Sequence, residues 1–284
     1  MFPEQLMRRK ITLRLQQPSK KSYDNQIKIK VTNLIQSIMS YSDPQIGESL
    51  AVQITSKNPQ YGLFVSTPNG ISGLIRKLNI SWSYQNRFYD SLHVGDYIQA
   101  IVTKVHPDGK IELSRKDACA NPRDLNLDLI LKGCVDSVEN YGILIRFDGF
   151  IGLAPWVELT STYYKAGDEI TCVVKSTAVE ENGMVKVTLS THPLHSLFAR
   201  MHNIGDRVTA KYVGINQAHD NPTAVISVEE GLFLIELTEN FFIEPYKSKM
   251  ISGALSPGQS LEFVYSKFNE NKSTIWLDMR PIEK

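Results

Sequence analysis

The amino-acid sequence predicts an all-β chain of tandem five-stranded barrels behind a short mixed N-terminal extension. Three observations carry that reading. First, one hairpin pattern recurs three times: Ile111-Glu112-Leu113-Ser114, Val187-Thr188-Leu189-Ser190 and Ile275-Trp276-Leu277-Asp278. Each alternates apolar and polar residues, the mark of a half-buried strand. Each follows a turn-rich tip (Pro107-Asp108-Gly109, Glu181-Asn182-Gly183, Asn269-Glu270-Asn271) and an upstream run opened by Gly95-Asp96, Gly167-Asp168 or Gly258-Gln259. Second, the first two copies share their front halves. Tyr61-Gly62-Leu63-Phe64-Val65 answers Tyr141-Gly142-Ile143-Leu144-Ile145, and Gly73-Leu74-Ile75 answers Gly152-Leu153-Ala154. Third, each copy offers five strands in about 65–75 residues, the size of a small barrel whose closure removes exposed edges.

Residues 1–46 lie outside the repeat. Arg8, Arg9, Lys10, Arg14, Lys20, Lys21, Lys28 and Lys30 make a basic arm there, interrupted by Pro18 and by the loop-like Ser22-Tyr23-Asp24-Asn25. The run Ile27–Ile38 alternates at first and then takes helical spacing, which predicts a short helix leading into Asp43-Pro44. A nucleic-acid arm and a docking segment fit equally well. The three barrels are expected at residues 47–116, 126–191 and 204–284, joined by Asp117–Asp128 and Thr191–Asn203. Between Leu78 and Leu92, Trp82, Tyr84, Arg87, Phe88 and Tyr89 fit either a small helix packed on the barrel or an aromatic, basic loop.

The net charge of +1 conceals a strong asymmetry. Residues 1–116 hold 16 Lys and Arg against 8 Asp and Glu, and the remainder holds 15 against 22. Clustered positive charge steers a polyanion towards the N-terminal part. Cys119, Cys134 and Cys172 form no CxxC pair, so neither a disulfide framework nor a zinc ribbon is predicted. The sequence has no apolar run of membrane-spanning length and no secretory signal, which predicts a cytoplasmic protein without a membrane partner. It also lacks a phosphate-binding Gly-Lys-Ser/Thr loop, a Gly-x-Ser-x-Gly elbow and an HExxH helix. His192-Pro193-Leu194-His195, with His202 nearby, reads as a linker with incidental histidines, because no acidic ligand joins them and Pro193 argues against a helix. The expectation is a protein that is not an enzyme and uses no cofactor or metal.

Tyr61-Gly62-Leu63-Phe64-Val65, Gly73-Leu74-Ile75, Val94-Gly95-Asp96 and Ile111-Glu112-Leu113-Ser114, in that order, resemble the S-one RNA-binding motif. The resemblance is fullest over 47–116, thinner over 126–191, and reduced in 204–284 to Ile204-Gly205-Asp206 and the closing hairpin. It implies OB-fold barrels and single-stranded RNA as the partner, gripped by aromatic faces that stack on bases and cations that meet the backbone. The family's two face aromatics fall on Tyr61 and Phe64. Strict alternation would send residues three apart to opposite faces, so the resemblance implies that Gly62 brings them together. The family's His position is Arg76, with Lys77 beside it; its tip pair falls on His106 and Lys110, where His106 departs from the usual Asp. Arg115 is a further backbone-contact candidate.

A bland role stands beside each of these. Tyr61 could cap the core, Phe64 could fill it, and Arg76 and Lys110 could lie on a solvated face. In the second copy Tyr141 is kept, Leu144 replaces the second aromatic and Pro155 the cation, leaving Tyr141 and Lys186 as candidates and little RNA binding expected; Trp156 reads as packed under a loop. The third copy places Glu229-Glu230-Gly231 where the aromatic-Gly strand should be, and Phe241-Phe242, Tyr246, Lys247 and Lys249 form a local patch. The leading expectation is single-stranded RNA binding through the first barrel, in translation or RNA metabolism. An adaptor docking on a ribosome, polymerase or nuclease, and single-stranded DNA binding, are the other two readings.

Overall fold

A computed structural model describes residues 43–217 and 221–280. The basic arm and the helix expected before Asp43 lie outside the described residues. Fifteen strands and three short α-helices are present among the described residues, grouped as three five-stranded units. No helix among them is long and apolar enough to cross a membrane.

In the first unit, β1 (Ser49–Asn58), β2 (Gly62–Ser66), β3 (Ser72–Arg76), β4 (Tyr97–Val105) and β5 (Ile111–Ser114) pair in the order β1-β2-β3-β5-β4 and close into a barrel through β1 and β4. All neighbours are antiparallel except β3 and β5. The alternation read from the sequence sets the faces. Val52, Ile54, Leu63, Val65, Ile75 and Leu113 point inward and are essentially inaccessible, while Phe64, Leu74, Arg76 and Glu112 point outward. The register shifts between Ile54 and Ser56 in β1 and between Val102 and Lys104 in β4. Such bulges add the bend that a five-stranded sheet needs to close.

The second unit repeats this plan with β6 (Ile130–Glu139), β7 (Gly142–Arg146), β8 (Ile151–Pro155), β9 (Glu169–Val179) and β10 (Val185–Ser190), again a closed barrel. The third, β11 (Arg207–Asn216), β12 (Thr223–Val228), β13 (Phe233–Leu237), β14 (Ser260–Asn269) and β15 (Thr274–Asp278), keeps the strand order, with β13 and β15 as the two ends of the sheet. Here one expectation is corrected. Glu229-Glu230-Gly231 is not the third copy's aromatic-Gly strand but the tight turn between β12 and β13, with Glu229 and Glu230 at positive φ. The corresponding strand is β12, and it carries no aromatic residue.

The segments between barrels are structured. Helix α1 (Gln85–Ser91) buries Phe88 and Tyr89, which decides the Leu78–Leu92 question in favour of a packed helix. Helix α2 (His192–Met201) occupies the stretch expected as a linker with incidental histidines. Pro193 sits in its first turn, where the missing N–H costs no helical hydrogen bond. Leu194 and Phe198 enter the third barrel's core, and His195 is buried with its Nδ1 2.7 Å from the Ser273 carbonyl and its Nε2 2.8 Å from that of Leu234. The third helix, α3 (Tyr246–Ile251), packs Met250 into the same core. The three cysteines are free, and burial pushes the Cys119 and Cys172 thiols up to about 11 and about 12.

Candidate nucleic-acid interface

The outer surface of β2, β3 and β5 gathers most of the residues singled out in the first copy. Phe64 pairs in register with Leu74, and Leu74 with Glu112, so these three lie side by side on the outside of the barrel. Phe64 is 38% exposed and its neighbours Leu63 and Val65 are buried, so the ring belongs to the surface and not to the core.

Tyr61 is held by the turn before β2. The Asn58 side-chain oxygen accepts the backbone N–H groups of Gln60 and Tyr61, at 2.9 and 3.1 Å, and the Tyr61 carbonyl accepts the N–H of Lys77. Its ring is 51% exposed, so it does not close the core. Gly62 makes this corner possible: its φ is +128°, and a Cβ there would lie 2.1 Å from the Ile75 carbonyl oxygen. The irregularity that lets Tyr61 and Phe64 both face solvent is therefore this left-handed turn residue at the strand's start. The bulge itself sits opposite, in β1.

Arg76 follows at the end of β3, paired in register with Gly62. Its guanidinium forms a two-pronged ion pair with Glu112, Nε to Oε2 at 3.0 Å and Nη2 to Oε1 at 3.1 Å. His106 adds its Nε2 3.1 Å from Oε1 of the same carboxylate. The Arg76 guanidinium, with His106 beside it, holds the Glu112 carboxyl at about 2, and Glu112 in turn raises Arg76. Arg76 and His106 thus converge on one carboxylate, which lies two strands from Phe64 on the same outer surface. Lys77 donates to the Pro59 carbonyl and lies 5.5 Å from the centre of the Tyr89 ring.

Two candidates do not join this face. Lys110 stays at the hairpin tip, ion-paired to Asp108 at 2.7 Å and largely exposed. Arg115 is nearly buried: it donates to the Ile80 carbonyl, pairs with Asp148 of the second barrel at 2.8 Å, and stacks over Phe88. Its side chain ties the first barrel to the second.

The equivalent faces of the other two barrels are covered. In the second, Leu144 holds the position of Phe64 and is 0% exposed, because Leu144 and Ile151 join the first barrel's hydrophobic cluster with Phe88. The polar frame of that contact is extensive. Arg87 donates to Asp136, Ser137 and Glu139; Arg146 pairs with Asp136 and lies 4.6 Å from the centre of the Phe88 ring; Ser83 exchanges hydrogen bonds with the backbone of Ile151. Tyr141 remains half-exposed, Lys186 is ion-paired to Glu180, and Trp156 donates to the Glu139 carbonyl from a half-buried site. In the third barrel, Val225 points outward yet is inaccessible, and the Tyr163 hydroxyl lies over Gly214 beside it. Ser161 and Thr162 donate to Glu236, Ser161 at 2.5 Å. The same device operates twice: the segment after a barrel's third strand lies across the outer face of the next barrel.

The sequence named the aromatics and cations but missed Glu112 as the partner of Arg76 and His106, and α1 as the cover of the second barrel. The strand alternation of Ile111-Glu112-Leu113 signals the first, since it points Glu112 to the side opposite the core. Among the described residues no cluster of His, Cys, Asp and Glu has the makings of a metal site.

Comparison with known proteins now bears on the chain. Residues 43–116 match the S1 RNA binding domain, the S-one motif of the sequence. Small ribosomal subunit protein bS1 of Helicobacter pylori is 29% identical over 162 residues, 54% of this chain and 28% of that protein's length. The uncharacterized protein YabR of Bacillus subtilis is 35% identical over 79 residues, 28% of this chain and 61% of that protein. Among solved structures, a multidomain protein with nucleic acid binding domains from Streptococcus pneumoniae aligns with 83% of this chain and 74% of its own, at 16% identity and a TM-score of 0.27. Residues 43–116 of this chain are thus similar to the S1 RNA binding domain, and two further five-stranded units of the same strand order follow them.

Proposed function

We propose that the chain binds single-stranded RNA across the outer face of β2, β3 and β5, with Tyr61 and Phe64 stacking on bases and Arg76 meeting the backbone. One observation carries this reading: of the three equivalent faces, the first is open among the described residues and the other two are covered by their neighbours. Two exposed rings beside an arginine supply the stacking platform and cation that single-stranded nucleic acid requires. Lys77 and His106 flank the site. Arg76 is shared with Glu112, so stacking is the larger contribution to affinity and phosphate pairing the smaller. The S1 match and the ribosomal relatives support a place in translation or RNA metabolism, in the cytoplasm, with RNA or a ribosome-like assembly as partner.

The test is a binding titration of the full chain against an unstructured RNA oligonucleotide. Each stacked base is worth about 1–3 kcal/mol, so Tyr61→Ala and Phe64→Ala should each lower affinity about 5- to 150-fold. Both rings are exposed, so the variants keep their fold. Undiminished affinity in the double variant overturns the reading. Parallel titration with DNA of the same sequence decides between the two sugars, which stacking alone does not distinguish.

A further inference from the structure

The first barrel's outer face carries a cation that strand alternation conceals. Val102 of β4 is buried, and strict alternation would send Lys104, two residues on, into the core beside it. The register instead shifts at Thr103, so that Val102 pairs with Leu113 and Lys104 with Glu112. Residues directly opposite in antiparallel strands share a face, so Lys104 points outward with Glu112 and is exposed. A bulge re-aims a side chain in this way, and bulges recur beside functional sites. The Thr103 hydroxyl donates to the Glu112 carbonyl at 3.1 Å, just as the Thr55 hydroxyl, at the bulge of β1, donates to that of Phe64 at 3.1 Å. Each bulge is thus pinned to a residue of the outer face.

The registers join into one row across four strands: Phe64 on β2, Leu74 on β3, Glu112 on β5 and Lys104 on β4. Neighbouring strands lie about 4.8 Å apart, so the backbone positions at the two ends are separated by about 14 Å along the surface. One end is aromatic and the other cationic.

The charge at that second end is unshared. Arg76 is held by Glu112, Lys110 by Asp108 and Arg115 by Asp148, while Lys77 donates to the Pro59 carbonyl. Glu112 is turned to Arg76 and His106, and among the described residues no ion pair or hydrogen bond engages the Lys104 ammonium. The other barrels differ at this position. The second has Ser176 opposite Thr188; the third has Lys267 opposite Trp276, with its ammonium 5.2 Å from the centre of that ring.

We propose that Lys104 makes the phosphate contact of the site, so that one RNA strand is held by stacking on Tyr61 and Phe64 at one end of the row and by Lys104 at the other. The inference rests on the first-barrel reading and names the backbone contact that Arg76, committed to Glu112, supplies only in part. An ammonium on a flexible stem is a compact point charge with three donors, suited to a phosphate.

Salt titrations of the full chain with one unstructured RNA oligonucleotide, between about 50 and 200 mM, test it. Lys104→Gln should make the dependence of log affinity on log salt shallower by about 0.7 and lower affinity up to about fivefold at 0.1 M. Lys104→Arg should keep both. Lys211→Gln removes an equal charge from an exposed position on the third barrel and should keep both as well. Phe64→Ala should lower affinity without changing the slope, since the ring carries no charge. Lys104 is exposed and unpaired, so its variants keep their fold. An unchanged slope in Lys104→Gln overturns the contact, and so does an equal change in Lys211→Gln, which reports net charge instead. If the Tyr61→Ala and Phe64→Ala double variant binds like the parent, the first-barrel reading fails and this inference fails with it, whatever Lys104→Gln does. If the double variant loses affinity while Lys104→Gln keeps the parental slope, the Lys104 contact alone fails.

Discussion

Replacing Glu112 by glutamine should strengthen RNA binding, although Glu112 lies on the proposed binding face. The Arg76 guanidinium is committed to that carboxylate through two hydrogen bonds of 3.0 and 3.1 Å. Glu112→Gln would keep the shape and one acceptor but remove the charge, freeing Arg76 to neutralise a phosphate. One added phosphate contact on a single strand steepens the dependence of log affinity on log salt by about 0.7. If counterion release is the whole gain, affinity rises at most about fivefold at 0.1 M salt. The advantage should then shrink about 2.6-fold between 50 and 200 mM. Fluorescence anisotropy at four or five salt concentrations measures both quantities. The ion pair lies at the surface, where water already solvates and screens it, so the variant remains folded. A lower affinity, or an unchanged slope, would refute the reasoning and mark Glu112 as a direct acceptor for the ligand. The ion pair has its own signature. Because Arg76 and His106 hold the Glu112 carboxyl at about 2 instead of 4.5, its stabilising contribution is complete above about pH 5 and disappears as pH falls through 2. A carboxyl titration followed by NMR should place the midpoint near 2, and Arg76→Ala should move it up.

Two further outcomes test the frame that presents the site. Gly62→Ala should destabilise the first barrel by about 3 kcal/mol or more, since its Cβ would meet the Ile75 carbonyl oxygen at 2.1 Å and the Lys77 nitrogen at 2.9 Å. Gly109→Ala, at φ +78° with nothing within 4 Å, should cost only about 1–2 kcal/mol; amide hydrogen exchange of the β2 and β3 amides compares the two, and equal effects would contradict the close-approach argument. Arg87→Ala should loosen the first barrel from the second by about 1–2 kcal/mol, less than a buried charged network because the guanidinium is two-fifths exposed. The readout is faster exchange at the Phe88 and Tyr89 amides, and unchanged exchange there would show that the apolar contact with Leu144 suffices.

Much of this architecture is visible in short stretches of sequence, and the reason is that a strand's two faces are written in alternate residues. Ile111-Glu112-Leu113-Ser114 and its two counterparts announce hairpins without any partner, and Tyr61-Gly62 announces a corner because only glycine fits so close to the neighbouring strand. The barrel plan and the lost aromatics of the second and third copies follow from local pattern, whereas the outward Phe64 came only from the family resemblance, with core filling left open. Two expectations needed correction, each where distant residues decide. Pro193 argued against a helix, but it falls in the first turn of α2, and α2 is held by burial of Leu194 and Phe198 in the third barrel. Glu229-Glu230-Gly231 was placed in a strand because the third copy's spacing had drifted, and only the pairing of β12 with β13 shows it as the turn.

By itself, then, the sequence determined three barrels and a charge-polarised chain with the aromatic pair Tyr61 and Phe64 in the first copy. The tertiary structure alone decided which face is available. An outward residue is legible from alternation, but whether solvent or another barrel lies beyond it depends on contacts between residues about 50 to 75 positions apart, such as Arg87 with Asp136 and Ser161 with Glu236. Leu144 and Phe64 read alike as outward residues; packing buries one and leaves the other free.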